Sequence, residues 1–298
     1  PVVDPLNHVN GKADVAVKDG KIAAVGRDLT GDAKEIVDFS GYVLQPGIID
    51  SHVHLGSMWG SPYGARMLAM KGVTTCLDMA GPLEDILDKV PEYGAGINMA
   101  ILQFASPPFT FKNDHPTKSE MEDLIDKSLD DGALGVKLLG GHYPLKPDVS
   151  SLLIKTALER RAYVAWHAGT SEHGSNIEGM QEAVAMADGY PLHLAHINAY
   201  CRGAIKNELE EVAIAIDLLK KNPNIFCESY ISPKNGTRLT CDETGKIQSK
   251  VTGNCLRKFG FSEDRDGVKK AILAGKAFVV YDAGGYSDLM TGEEALKL

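Results

Sequence analysis

The sequence predicts an α/β fold: a (β/α)8 barrel, the TIM barrel, preceded by a short all-β part. Three observations carry that expectation. Apolar runs of strand length recur from residue 47 to residue 282, with amphipathic stretches between most of them. The first 46 residues lack this alternation and read as short β runs. Ionisable side chains fall repeatedly at the carboxyl ends of the apolar runs, the place where a barrel assembles its site.

Taken in order, residues 13–26 form two alternating runs around Asp19-Gly20, a strong hairpin signal. A further short strand is expected at Glu35–Asp38, leading to Gly41. Barrel strands are then expected at 47–55, 73–80, 97–104, 133–139, 162–168, 191–198, 225–231 and 277–282. The segment 118–129 between the third and fourth is an amphipathic helix. Thr117 is its expected N-cap, and Glu120 three residues later closes a capping box. The stretch 232–262 is polar and irregular, and follows the seventh strand. This divides the chain into residues 1–46 and a barrel over 47–298. An open doubly wound sheet is the competing architecture, but no glycine-rich phosphate fingerprint follows the first strand.

Composition narrows the function classes. The chain has 298 residues, 44% of them hydrophobic and 24% charged, enough for one large core. A formal net charge of −9 argues against nucleic acid as a main partner. No run approaches the ~20 apolar residues of a membrane helix, so no membrane partner is expected. Five cysteines, an odd number without regular spacing, make no disulfide framework and favour a reducing, cytoplasmic setting. The chain runs from Pro1 to Leu298, which follows what reads as a helix start. Both ends read as truncated, and a leader before Pro1 is left open.

The chemistry begins at Pro46-Gly47-Ile48-Ile49-Asp50-Ser51-His52-Val53-His54-Leu55. Residues two apart on a strand point the same way, so His52 and His54 share a face. They read as a metal pair or, more plainly, as two buried hydrogen-bonded histidines. Lys137, His167, His196 and Asp282 fall at the ends of the fourth, fifth, sixth and eighth expected strands. Lys137 alone could be a salt-bridged lysine, His167 and His196 core histidines, and Asp282 a turn residue before Gly284-Gly285. His193, three residues before His196, is expected on the other strand face with a structural role. Cys76, near the end of the second strand, reads as buried and apolar in behaviour. His142, Tyr143, His173 and Tyr230 are candidate substrate contacts on loops after the fourth, fifth and seventh strands. Arg202 reads as a solvated loop arginine that could instead meet a carboxylate.

With these residues in place, the chain resembles the amidohydrolase superfamily, in particular hydantoinases, dihydroorotases and N-acyl-D-amino-acid deacylases. Pro-Gly-x-x-Asp-x-His-x-His after an Asp-Gly hairpin carries the likeness, well over residues 11–200 and loosely beyond. The resemblance implies a (β/α)8 barrel with a small flanking N-terminal β-sandwich part and a binuclear metal centre, zinc by expectation. It implies a carbamylated Lys137 bridging two divalent ions, with His52 and His54 on one and His167 and His196 on the other. Asp282 is implied as ligand and proton shuttle.

The residues support that reading on their own terms. Four neutral imidazoles cannot neutralise two divalent cations, and a carbamylated lysine supplies the missing carboxylate on a long arm. Carbamylation needs a neutral amine, which burial favours. The expected activity is hydrolysis of a non-peptide C–N bond in an N-acyl amino acid or a cyclic amide, by a hydroxide shared between the metals. A phosphotriesterase or lactonase on the same centre and a non-catalytic hydantoinase-like scaffold are the alternatives. The expected partner is a small-molecule substrate, and the chain is expected to form a homo-oligomer.

Overall fold

Two compact units divide the chain, Pro1–Ile49 and Asp50–Leu298. The computed structural model describes all residues except 57–62, 108, 231–238, 249, 284–285 and 298. In the first unit, β1 (Val2–Asp4) pairs antiparallel with β2 (Val9–Gly11), and β3 (Asp14–Lys18) with β4 (Lys21–Gly26). Asp19 and Gly20 take positive φ of 51° and 73°, as the expected two-residue hairpin turn requires. The β1–β2 hairpin was not read from the sequence. The strand expected at 35–38 does not form. Among the described residues nothing pairs with this segment, and Ile36 and Val37 are exposed.

The strands that follow are β5 (Ile48–Val53), which begins two residues before the second unit, β6 (Val73–Asp78), β7 (Asn98–Ala105), β8 (Gly135–Leu139), β9 (Tyr163–His167), β10 (Leu192–Leu194) and β11 (Ile225–Cys227). They form one seven-stranded sheet in chain order, with parallel pairing from β6 through β11. Helices separate them: α1 (Gly64–Met70), α2 (Leu83–Leu87), α3 (Val90–Tyr93), α4 (Lys118–Asp130), α5 (Pro147–Glu159), α6 (Ile177–Ala187) and α7 (Glu208–Lys221). Chain-order strands with helical crossovers are the barrel winding. The sheet is curled: His52 on one edge strand touches Glu228, which directly follows the other edge strand.

Packing explains why these segments adopt these elements. Helix α4 begins at the expected capping box, with Glu120 N–H donating to Thr117 Oγ1 and the Thr117 N–H to the Glu120 carboxylate. Its Met121 and Ile125 join Val136, Leu138, Leu153, Ile154, Val164 and Trp166 in the main core between sheet and helices. A smaller cluster of Met79, Leu102, Ala165 and Ala195 is drawn from the sheet and the segments just after its strands.

Register defines the rows on which the site stands. Phe104, Lys137, Ala165, His193 and Phe226 align across β7 to β11, and paired residues of a parallel sheet share a face. His193 is therefore on the Lys137 face, not the opposite one as expected. Counting residues to fix a face works only inside a strand. Here β10 stops at Leu194, and the chain turns at His196 with φ 37°.

The eighth strand also departs from expectation. Residues 279–283 form β12, but it pairs antiparallel with β13 (Tyr286–Met290), with Asp282 opposite Ser287, and lies outside the seven-stranded sheet. The pairing Ala283↔Tyr286 leaves only Gly284-Gly285 between the strands, a spacing and composition suited to a hairpin rather than a barrel crossover. Of the stretch 232–262 expected to be irregular, 232–238 and 249 lie outside the described residues, and part of the rest folds as α8 (Lys250–Lys258). Helices α9 (Arg265–Leu273) and α10 (Gly292–Ala295) follow, with a local core of Ile247, Leu256, Val268 and Ile272.

Candidate metal centre

Four imidazoles converge at the carboxyl ends of the parallel strands. Ring centroids lie 5.1 Å apart for His52–His54, 5.1 Å for His52–His196 and 4.4 Å for His167–His196. His52 Nε2 and His54 Nε2 face each other at 3.3 Å. Two nitrogens on one tetrahedral zinc, each ~2.0–2.1 Å from it, would be about 3.3–3.4 Å apart. His196 Nδ1 is buried and, among the described residues, has no hydrogen-bond partner, which a structural core histidine would need. His167 is the last residue of β9, and its Nε2 lies 2.8 Å from Ser175 Oγ. Gly141 makes room for that ring: a Cβ there would stand 2.0 Å from His167 Nε2.

Lys137 is 1% exposed, and its Nζ lies 3.3 Å from Met79 Sδ. It sits mid-strand, two residues below Leu139, the register partner of His167. Two strand residues rise ~6.6 Å, about the reach of a lysine side chain. Burial pushes its pKa down to about 7, although the carboxylates of Glu228 and Asp78 pull the other way. A neutral amine is thus accessible near neutral pH.

The same burial holds the imidazoles neutral. His54 falls to about 3, through burial first and then the charges of His52 and Lys137. His167 and His196 lie well below the usual histidine value, again through burial first, with neighbouring cationic groups adding to it. Neutral imidazoles are the form that binds metal. Burial raises the Cys76 thiol to about 11, so it carries no thiolate at neutral pH. The His52–His54 pair has the spacing of two donors on one divalent cation, with the rings of His196 and His167 next to it and Lys137 buried below.

The sequence reading missed Glu228. It directly follows β11, and its carboxylate touches His52 Nδ1 and His193 Nε2. Burial raises its pKa, but the hydrogen bonds from His193 and His52 win and keep it ionised. The signal was there: a carboxylate directly after Ile225-Phe226-Cys227 stands at the carboxyl end of an apolar run, as His167 does at the end of β9. Taking the seventh strand to residue 231 hid it. Asp78, fully buried, was also missed. It accepts backbone N–H groups from Leu55, Ala80 and Gly81, tying the segment after His54 to β6.

The remaining candidates are more dispersed. His142 follows β8, with its ring 5.7 Å from that of His167, and burial lowers its pKa. Tyr143 packs edge-on against Phe109 at 5.2 Å. The Tyr230 hydroxyl accepts from Arg202 at 3.0 Å. His173 lies on the loop after β9, with Nδ1 3.0 Å from Glu182 on α6. Asp282 lies in the β12–β13 hairpin, off the parallel sheet that carries the other five.

A curled parallel sheet wound in chain order, with buried histidines gathered at its strand ends, has the architecture of a (β/α)8 barrel. The profile of the Amidohydrolase family matches residues 43–292, and the chain belongs to that family. Allantoinase of Escherichia coli O1:K1 / APEC is 51% identical over 71 residues, 22% of this chain and 16% of that protein. Among solved structures, N-acyl-D-glutamate deacylase from Bordetella bronchiseptica, complexed with zinc and a phosphonate mimic of the tetrahedral intermediate, superposes with a TM-score of 0.60. It is 20% identical, with 78% of this chain and 57% of that chain covered. A D-aminoacylase described as having a binuclear metal centre gives 0.57 at 18% identity, with the same coverage. The chain thus spans little more than half the length of these structural neighbours.

Proposed function

We propose that this chain is the catalytic barrel of a metal-dependent amidohydrolase that cleaves a non-peptide C–N bond in an N-acyl amino acid or a cyclic amide. The observation that carries this reading is the ring of buried, neutral imidazoles around a fully buried lysine. The likeness to N-acyl-D-glutamate deacylase and allantoinase supports extending that substrate class to this chain.

His52 and His54 are assigned to one divalent ion and His167 and His196 to a second. Lys137 is assigned as the bridge, in carbamylated form: neutral Nζ adds to CO2, an N–C bond forms, and one proton leaves to solvent. The resulting carboxylate supplies the negative charge that four imidazoles lack. When bound, the ions polarise the scissile carbonyl and make a nucleophilic water available near neutral pH. Ser175, at His167 Nε2, and Gly141, beside it, keep that ring in place. His142, Tyr143, His173 and Tyr230 are assigned to substrate, and Asp282, in the hairpin off the sheet, is given no part in the centre.

Metal analysis of protein purified without chelators tests the centre, with about two divalent ions per chain expected. Less than about half an equivalent, unimproved by added zinc, overturns it. Turnover of N-acyl D- and L-amino acids and of hydantoins then tests the substrate class. Hydrolysis of phosphotriesters or lactones with no amide turnover would replace it.

A further inference from the structure

Glu228 is joined to several parts of the candidate centre at once. Its Oε1 meets the His52 ring at Nδ1 and accepts the His196 backbone N–H at 2.7 Å. Its Oε2 meets His193 Nε2, and His193 Nδ1 lies 2.7 Å from the Tyr163 hydroxyl. Its backbone carbonyl accepts the N–H of Ile197 at 2.8 Å. One residue therefore touches the β5 edge, the turn after β10, and through His193 the first residue of β9.

An ionised carboxylate only accepts hydrogen bonds. His52 must then offer an N–H at Nδ1, and a neutral imidazole has no second one. The lone pair is left on Nε2, the nitrogen that faces His54. His196 sits at φ 37° and ψ 64°, a left-handed conformation that few residues other than glycine adopt. Its N–H and that of the next residue both bond to Glu228, which offsets that strain where the ring leaves the strand.

We propose that Glu228 is the positioning residue of this centre: its carboxylate fixes the tautomer of His52, anchors the backbone of His196 and keys both to His193 and Tyr163. This rests on the metal-centre reading above. It also says something that reading does not: the two ligand pairs share one orienting group. A long-range field alone would tolerate any carboxylate at this position. Positioning tolerates only one of the right length.

The test uses Glu228→Gln and Glu228→Asp, with zinc affinity measured by competition against a chromophoric chelator. Partners that orient metal-bound histidines are typically worth about 10–100-fold in affinity. Both variants should lose that much, because Gln cannot accept through both termini and Asp is one methylene short. Long-range 15N–1H spectra of the metal-free wild type should show His52 protonated at Nδ1, and Glu228→Gln should show a mixture of tautomers. Wild-type affinity in Glu228→Asp, or His52 protonated at Nε2 in the wild type, overturns the proposal. A wild-type chain that binds no zinc overturns the metal centre instead, and the tautomer spectra still decide the role of Glu228. Circular dichroism of each variant identifies one that has merely unfolded.

Discussion

The centre of the parallel sheet and its two edges solve the same problem differently. In β8 every residue from Gly135 to Leu139 is buried, and Lys137 and the neighbouring His167 are held by close packing from strands on both sides. The edge strands have one neighbour each. On β11 Phe226 is 57% exposed, and on β5 Ile48 and Ile49 are exposed as well. There the histidines are held by carboxylates instead: Glu228 grips His52, and Asp78 grips the backbone just after His54. A buried strand positions side chains through its shape, whereas an edge strand needs polar ties.

The largest expected effect comes from the centre. Lys137→Met should abolish zinc binding, read by metal analysis, because it removes the group proposed to bridge the ions. It should also stabilise the metal-free protein. Lys137 has a folded pKa near 7, far below the usual lysine value, so protonating it opposes folding. That penalty is fully present below pH 7 and disappears as pH rises from 7 toward the unfolded value of ~10.4. The gain in Lys137→Met should therefore be on the order of a few kcal/mol at pH 6 and near zero at pH 10, read by thermal melts. A gain independent of pH would break the contrast.

Next comes packing. Leu138→Ala, in the fully buried strand, should cost ~2–5 kcal/mol in a denaturant titration. Phe226→Ala, on the edge, should cost well under ~1 kcal/mol, as surface changes do. Equal costs would mean that the edge is as firmly packed as the centre. The buried imidazoles give a smaller, graded effect. His54, near 3 when folded, and the similarly lowered His167 and His196 bind protons more readily in the unfolded chain. The stability they contribute is complete above pH ~6.5 and is lost as pH falls toward their folded values, so metal-free melting should fall steadily from pH 7 to pH 5.

The smallest expected effect is at Asp282. Its strand lies in a hairpin apart from the sheet, so Asp282→Asn should keep its full zinc complement. Metal analysis showing a lost equivalent would return Asp282 to the ligand set.

How much of this was legible follows from the range of each force. The seven strands of the sheet were legible because each contains an apolar run of strand length, and the α4 capping box because it is written in four consecutive residues. His52, His54, His167 and His196 were legible because an imidazole at the end of an apolar run is rarely chance. Glu228 was not. A lone glutamate beside Ser229 and Tyr230 looks like a solvated charge until the curl of the sheet brings β5 to it. The face of His193 depended on where β10 stops, which a left-handed residue decides and hydrophobicity does not. The hairpin of residues 279–290 reflects a choice between pairing with a neighbour in sequence and pairing with a distant strand, and a list of apolar runs does not distinguish the two.

The fully buried Tyr200 has a consequence of a different kind. Its hydroxyl accepts the amide hydrogen of Ala168 at 2.8 Å and donates to the carbonyl of Ala195 at the same distance. Ala168 directly follows His167, and Ala195 directly precedes His196. One phenol thus sets the gap between two imidazoles on different strands, and a single amide hydrogen reports on it. Exchange of that hydrogen for deuterium can occur only when the phenol lets go. The Ala168 exchange rate is therefore a clock for how often these two loops part, readable in solution with neither metal nor substrate present.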